Sequence, residues 1–183
     1  SSSNEDSINY YYTLGFIDYA QEDYKKSIES LKKAVSLFHD DYHWIYKPIL
    51  NYLGISYYKS GEYDFAIKEF NRCLQYAINQ NDWIYELNTQ LSLTYALKGQ
   101  LVESKNYYHL IEELYNIVEN KQFWTLYRIN KIYNNNLALS YLDSSYTHLL
   151  NMSQGYTNEE ERYAFLTLNK DNKRIQEEWE KVK

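Results

Sequence analysis

The chain has 183 residues and a mass of 22.2 kDa, enough for one ordinary domain with a real core and marginal for two. With only 5 Gly and 1 Pro, a fold built on many tight turns is disfavoured, and a single Cys excludes an internal disulfide framework and a multi-cysteine zinc site. The formal charge of −6 sets a field that repels phosphate backbones and anionic lipid, and no apolar run approaches the roughly eighteen residues a membrane span needs. The expectation is a reduced, cytoplasmic, helical protein that binds neither nucleic acid nor membrane directly. Its 23 Tyr supply large apolar area with a polar tip, suited to both a core and an adhesive surface.

Residues 1–7 (SSSNEDS) are polar and acidic, with no initiator Met and no signal-peptide pattern, and are expected to be a disordered leader or linker stub. From residue 8 the chain repeats itself. Leu14-Gly15 is followed by Tyr24, Ser27, Leu31 and Ala34. Leu53-Gly54 is followed by Tyr57, Gly61, Tyr63, Ala66, Phe70 and Cys73, and Leu91-Ser92 by Tyr95, Gly99, Leu101, Ser104, Tyr108 and Ile111, at steps of 39 and 38 residues. A second marker agrees: Trp44-Ile45-Tyr46 returns as Trp83-Ile84-Tyr85 and more loosely as Trp124-Thr125-Leu126, at steps of 39 and 41. Leu50, Leu53, Gly54 and Tyr57 have the i, i+3, i+4, i+7 spacing of an apolar helical stripe, Gly61 ends that helix, and Tyr63, Ala66, Ile67, Phe70 and Leu74 form a second stripe. The spacing predicts antiparallel helix pairs at about 10–20/24–38, 44–59/63–79 and 83–98/101–118. The small residue of each Leu-Gly or Leu-Ser pair, with Ser27, Ala66 and Ser104 opposite, lets the two helices approach closely. No single pair can bury both stripes, so the pairs must stack into a solenoid.

Beyond residue 120, Phe123, Trp124, Leu126, Tyr127, Ile129, Ile132, Tyr133, Leu137 and Tyr141 predict a long fourth first-helix bent near 134–136, with 144–152 as its short partner and Leu137 matched to Leu53. Thr157 and Glu160 read as a capping box opening a polar terminal helix, interrupted near 169–172. The repeats then fall at about 8–43, 44–82, 83–121 and 122–156, with a solvent-facing cap at 157–183, all in one domain.

These residues resemble the tetratricopeptide repeat, whose pattern of Leu-Gly, Tyr, a Gly turn, Tyr, Ala, Phe and Ala is matched almost throughout by YLGISYYKSGEYDFAIKEFNRC (52–73). The resemblance covers roughly residues 8–115 and implies an all-α, right-handed solenoid of antiparallel helix pairs with a C-terminal capping helix. The family's usual 34-residue period is exceeded and its usual Pro after the second helix is missing, so longer helices are expected. Long, degenerate repeats of this sort are similar to the C-terminal sensor domains of peptide-pheromone transcription regulators of Gram-positive bacteria, and to related phosphatases.

Catalytic chemistry has no visible seat. The five glycines are too scattered for a phosphate-cradling loop, and no Ser lies in G-x-S-x-G. Cys73 occupies a small-residue position of a second helix and reads as a buried, inert thiol. His39 and His43, four apart around Asp40 and Asp41, lack a third ligand and read as a junction between repeats, with no metal expected. Lys25, Lys26, Lys32 and Lys33 flank the stripe of a second helix, and Glu112-Glu113 and Glu177-Glu178 are acidic pairs; all read as solvated faces. Neither an enzyme nor a cofactor is expected.

The resemblance implies that the first helices line a concave groove, at positions two before and two or five after each repeat's Leu. Here these are Tyr12, Phe16 and Tyr19, then Asn51, Ile55 and Tyr58, then Thr89, Leu93 and Ala96, with Asn135 the equivalent in the fourth repeat. Aromatic and aliphatic anchors alternating with Asn and Thr suit an extended peptide. The Lys and Asn clamp that holds C-terminal carboxylates in chaperone adaptors is not matched, because Tyr12, Asn51 and Thr89 stand where Lys is expected. The leading expectation is a non-catalytic peptide- or protein-binding domain, as the peptide-sensing part of a cytoplasmic transcription regulator. The alternatives are an assembly scaffold that homodimerises, and, by resemblance alone, a response-regulator aspartyl-phosphate phosphatase.

Overall fold

A computed structural model describes residues 2–38, 43–77, 81–115 and 122–183, the side chains of residues 2, 3, 43, 44, 81 and 82 aside. Every regular element among the described residues is a helix: α1 Ser2–Ala20, α2 Tyr24–Ser36, α3 His43–Lys59, α4 Tyr63–Tyr76, α5 Asn81–Leu97, α6 Leu101–Leu114, α7 Phe123–Ile132, α8 Leu137–Ser153, α9 Glu159–Leu168 and α10 Lys170–Val182. The chain divides into two compact units, 1–120 and 121–183.

The first unit is three helix hairpins, α1/α2, α3/α4 and α5/α6, stacked so that α2 meets α3 and α4 meets α5. The first two hairpins close where a side chain is missing. A Cβ added at Gly15 would sit 2.6 Å from Leu31 Cγ, and one at Gly54 would sit 2.6 Å from Phe70 Cε1. In the third hairpin Ser92 Oγ donates to Ser104 O at 3.0 Å and Ser104 Oγ to Ser92 O at 2.6 Å, so hydroxyls occupy the same close approach. Ser27 Oγ donates to Gly15 O at 2.9 Å and meets Ser56 Oγ at 2.8 Å, tying the first hairpin to the second. Leu31, Phe70, Tyr108, Ala34, Cys73 and Ile111 fill the interior beside these contacts.

The turn inside each hairpin recurs as one device. Glu22, Gly61, Gly99 and Asn134 all take positive φ, at steps of 39, 38 and 35 residues. The following amide donates back five residues each time, Asp23 to Asp18, Glu62 to Tyr57, Gln100 to Tyr95 and Asn135 to Asn130, all at 2.9 Å. This is the helix-ending arrangement in which one left-handed residue satisfies the last carbonyls.

The boundaries differ from expectation in four places. The leader expected at 1–7 is, from Ser2, the opening of α1: Glu5 lies in its first turn, where a carboxylate favours the positive end of the helix dipole, and buried Ile8 anchors it. The long fourth first-helix is two helices, because Asn134, with φ 53°, ends α7 as Gly61 and Gly99 end α3 and α5. The terminal helix starts from Asn158, whose Oδ1 accepts from Glu160 N at 2.8 Å, so Asn158 and not Thr157 is the cap. Asn169 interrupts that helix and caps α10 by accepting from the amides of Asp171 and Asn172.

The second unit closes its own core: α8 packs on α7, α9 and α10 around Leu126, Ile129, Leu142, Leu149 and Ile175. Its Leu126-Tyr127 has a ring where the earlier repeats have Gly or Ser. The Tyr127 hydroxyl donates to Glu178 Oε2 at 2.5 Å, and Glu178 also pairs with Lys131 and, at 2.8 Å, with Lys181. The expected solvent-facing cap thus carries a working ion-pair cluster.

Phe70→Ala and Tyr108→Ala should each cost roughly 3 to 5 kcal/mol by leaving a cavity against the small-residue contact; denaturant midpoints near the parent's would show these rings are not the fillers. The cations and hydroxyl around Glu178, led by Lys131, hold its carboxyl down at about 2, against an ordinary 4.5. A carboxyl lowered in the folded state contributes stability that is complete above the ordinary value and lost as pH falls toward 2. Glu178→Gln should therefore flatten the fall in melting temperature between pH 4.5 and 2; an unchanged acid profile would show the cluster contributes nothing.

Candidate functional site

Three first helices of the first unit lie side by side, with α3 touching both α1 and α5. Tyr52 of α3 is the hub between α1 and α3. Its ring centroid lies 6.3 Å from that of Tyr12, 5.1 Å from Phe16 and 5.3 Å from Tyr19, the Phe16 pair being edge-on. Tyr12 and Tyr19 are half-buried, while Phe16 remains 41% exposed. An aromatic wall one face of which still meets solvent results.

Between α3 and α5 the surroundings turn polar. Asn51 is only 5% exposed, and its side-chain amide donates to the carboxylate of Glu86 on α5. Its Oδ1 has no hydrogen-bond partner among the described residues. Burial pushes the Glu86 carboxyl above the usual range against the lowering effect of the Asn51 hydrogen bond. Burial likewise raises the Tyr52 phenol, and the nearby Glu86 carboxylate adds to that shift.

The remaining expected groove residues are covered. Thr89 is fully buried and its hydroxyl donates to Tyr85 O at 2.7 Å, and Leu93, Ile55, Tyr58 and Ala96 are buried as well. The contacts seen at these positions lie within a repeat, as between the rings of Tyr58 and Tyr63 and between Thr89 and the Tyr85 carbonyl. Asn135 lies in the turn after α7, in the other unit, where its Oδ1 accepts from Leu137 N at 3.1 Å. With Asn134 as the turn residue, the fourth repeat's Leu is Leu126 and not Leu137, and the positions corresponding to Asn51, Ile55 and Tyr58 are Trp124, Arg128 and Lys131.

Two residues central to the site fell outside the expected positions: Tyr52, one before the repeat's Leu, and Glu86, five before it. The sequence held a signal for Glu86, a carboxylate directly before the uncharged run from 87 to 97 of α5.

Elsewhere the residues of chemical interest are occupied. Cys73 is buried, its thiol donating to Lys47 O at 3.4 Å, and burial pushes it up to about 12. Lys25, Lys26, Lys32 and Lys33 are exposed on α2, Lys26 pairing with Asp23 at 2.6 Å. His109 pairs with Glu112 at 3.1 Å on the surface, and the His148 ring lies 6.4 Å from that of Phe123. His39 and the His43 side chain, with the expectation that they hold no metal, lie outside the described residues. No helix among the described residues is long and apolar enough to cross a membrane.

Residues 6–79 match a tetratricopeptide repeat family. Over 108 residues, 59% of the chain, the sequence is 31% identical to "TPR repeat-containing protein MJ1428" of Methanocaldococcus jannaschii, of which it spans 17%. The matched stretch holds the hairpins α1/α2 and α3/α4 with their Leu-Gly contacts at Gly15 and Gly54, so these two hairpins are what is similar to tetratricopeptide repeats.

Proposed function

We propose that the chain is a non-catalytic binding protein that holds an extended peptide segment of its partner along the inner first-helix face, over Tyr12, Phe16, Tyr19 and Tyr52. Tetratricopeptide repeats are in general protein-interaction modules that present an extended surface. The observation that carries the peptide reading is the aromatic wall. Three rings of α1 lie within 6.3 Å of the Tyr52 ring, yet Phe16 keeps 41% of its surface in solvent near a buried amide–carboxylate pair. Rings held by packing lose little conformational freedom on binding, which makes them effective anchors. In this reading the chain is the peptide-sensing part of a cytoplasmic transcription regulator, an assignment supported by the length and degeneracy of its repeats.

One observation favours a scaffold instead. Helix α6 exposes Leu101, Val102 and Leu110, beside a recess of about 550 Å³ lined by Tyr95, Glu103, Asn106, Tyr107 and Leu110. A homodimer seated there would bury apolar side chains that now face water.

The two readings separate in one experiment. A nonapeptide enriched from a random library on the parent protein is titrated calorimetrically into the parent, Phe16→Ala and Lys32→Ala. Phe16→Ala should weaken binding about tenfold, roughly 1.4 kcal/mol, and Lys32→Ala should leave it unchanged. Loss of binding in Lys32→Ala alone would move the site to the outer face. Failure of any peptide to enrich, with dimerisation abolished by Val102→Glu, would establish the scaffold.

A further inference from the structure

The Asn51–Glu86 pair is unusual for what it lacks. A carboxylate withdrawn from water ordinarily has a cation or several amide donors to replace its hydration. Glu86 has one side-chain amide, and no Lys, Arg or His among the described residues forms an ion pair with it. The same amide group leaves its own oxygen, Asn51 Oδ1, buried and without a partner among the described residues. Buried polar atoms are nearly always hydrogen-bonded, so an unmet acceptor beside an uncompensated carboxylate is a place where donors and positive charge are missing.

Position adds to this. Glu86 keeps part of its surface open, whereas Asn51 Oδ1 is buried, so a ligand group reaches the pair only by inserting beside Glu86. Tyr52, which senses the Glu86 charge, is also the hub of the aromatic wall. Ring faces attract cations, and a guanidinium or ammonium whose stem lies along such a wall gains apolar contact and cation–π attraction together. A neutral apolar residue would bury the carboxylate further with nothing to offset it, and an acidic one would meet like charge.

We propose that Glu86 and Asn51 form a pocket for a Lys or Arg side chain of the bound peptide, with Tyr52 and Phe16 flanking its aliphatic stem. The pocket rests on the peptide-binding reading given above and adds its specificity. The Glu86 carboxylate takes the charge, Asn51 Oδ1 accepts a second N–H, and the Asn51 amide, already donated to Glu86, fixes the orientation of both acceptors. The pair is left incomplete in the free protein, and the ligand completes it.

The test is a selection of one random nonapeptide library, acetylated and amidated at its ends, on the parent and on Glu86→Gln. Both proteins are first compared by thermal melting; Glu86→Gln should melt no lower than the parent, because it removes a charge that burial disfavours. The parent should enrich peptides with Lys or Arg at one fixed position at least tenfold over the starting library, and Glu86→Gln should lose that enrichment. A parent-selected peptide should bind at least tenfold more weakly when its basic residue is changed to Gln, and Glu86→Gln should bind the two versions equally. Peptides enriched on the parent without a basic residue would overturn the pocket while leaving the groove intact. The same holds for a preference that survives in Glu86→Gln. If no peptide enriches on the parent, the groove and its pocket both fail.

Discussion

Everything in the first unit depends on how closely two antiparallel helices can approach at one point. At Gly15 and Gly54 the approach leaves no room for a methyl group, and at Ser92 it leaves room only for a hydroxyl that bonds the opposite backbone. The distance set there decides what fits beside it, a Leu in the first hairpin, a Phe in the second and a Tyr in the third. The same distance decides which side of each hairpin stays apolar and must be covered by the next. Stacking is the consequence of an approach too close to bury two stripes at once.

Hydroxyls and amides carry a large part of the order within this stack. Ser27, Ser56, Thr89, Ser92, Thr94 and Ser104 are all fully buried, and the bonds they make run to helix carbonyls or to each other. Arg72 joins buried Glu69 to the Tyr46 hydroxyl across α3 and α4. The bonds of Ser27, Ser56, Ser92 and Ser104 that cross between helices fix one helix register over another, since a slip by one residue would strand them. Against that background Asn51 and Glu86 stand out, being the inner-face pair whose needs the described residues do not meet.

The hairpins were legible because their determinants are local and periodic. Leu-Gly, Leu-Ser and the glycine turns at Gly61 and Gly99 sit at fixed offsets, and a residue with no Cβ has few other reasons to recur there. The fourth repeat was less legible because both of its marks are written with other residues. Asn134 does the work of glycine at the turn, and Tyr127 replaces the small residue, so Leu137 attracted the alignment that belongs to Leu126. Of the first unit's expected groove positions, those in α1 alone keep exposed or half-buried side chains. Whether Ile55, Thr89 or Leu93 meets solvent depends on packing in the folded chain, which no offset within one repeat encodes.

Cys73 gives the stack an internal gauge. Its thiol is sealed between α4 and the Lys47 carbonyl of α3, and at about 12 it stays protonated across the physiological range. A small alkylating reagent can reach it only when those two helices part, so its rate of modification measures how often the central hairpin opens. Because the other hairpins contain no cysteine, the signal belongs to that one contact, in an unmodified chain and without any introduced label. One buried sulfur thus becomes a clock for the opening of the α3/α4 contact.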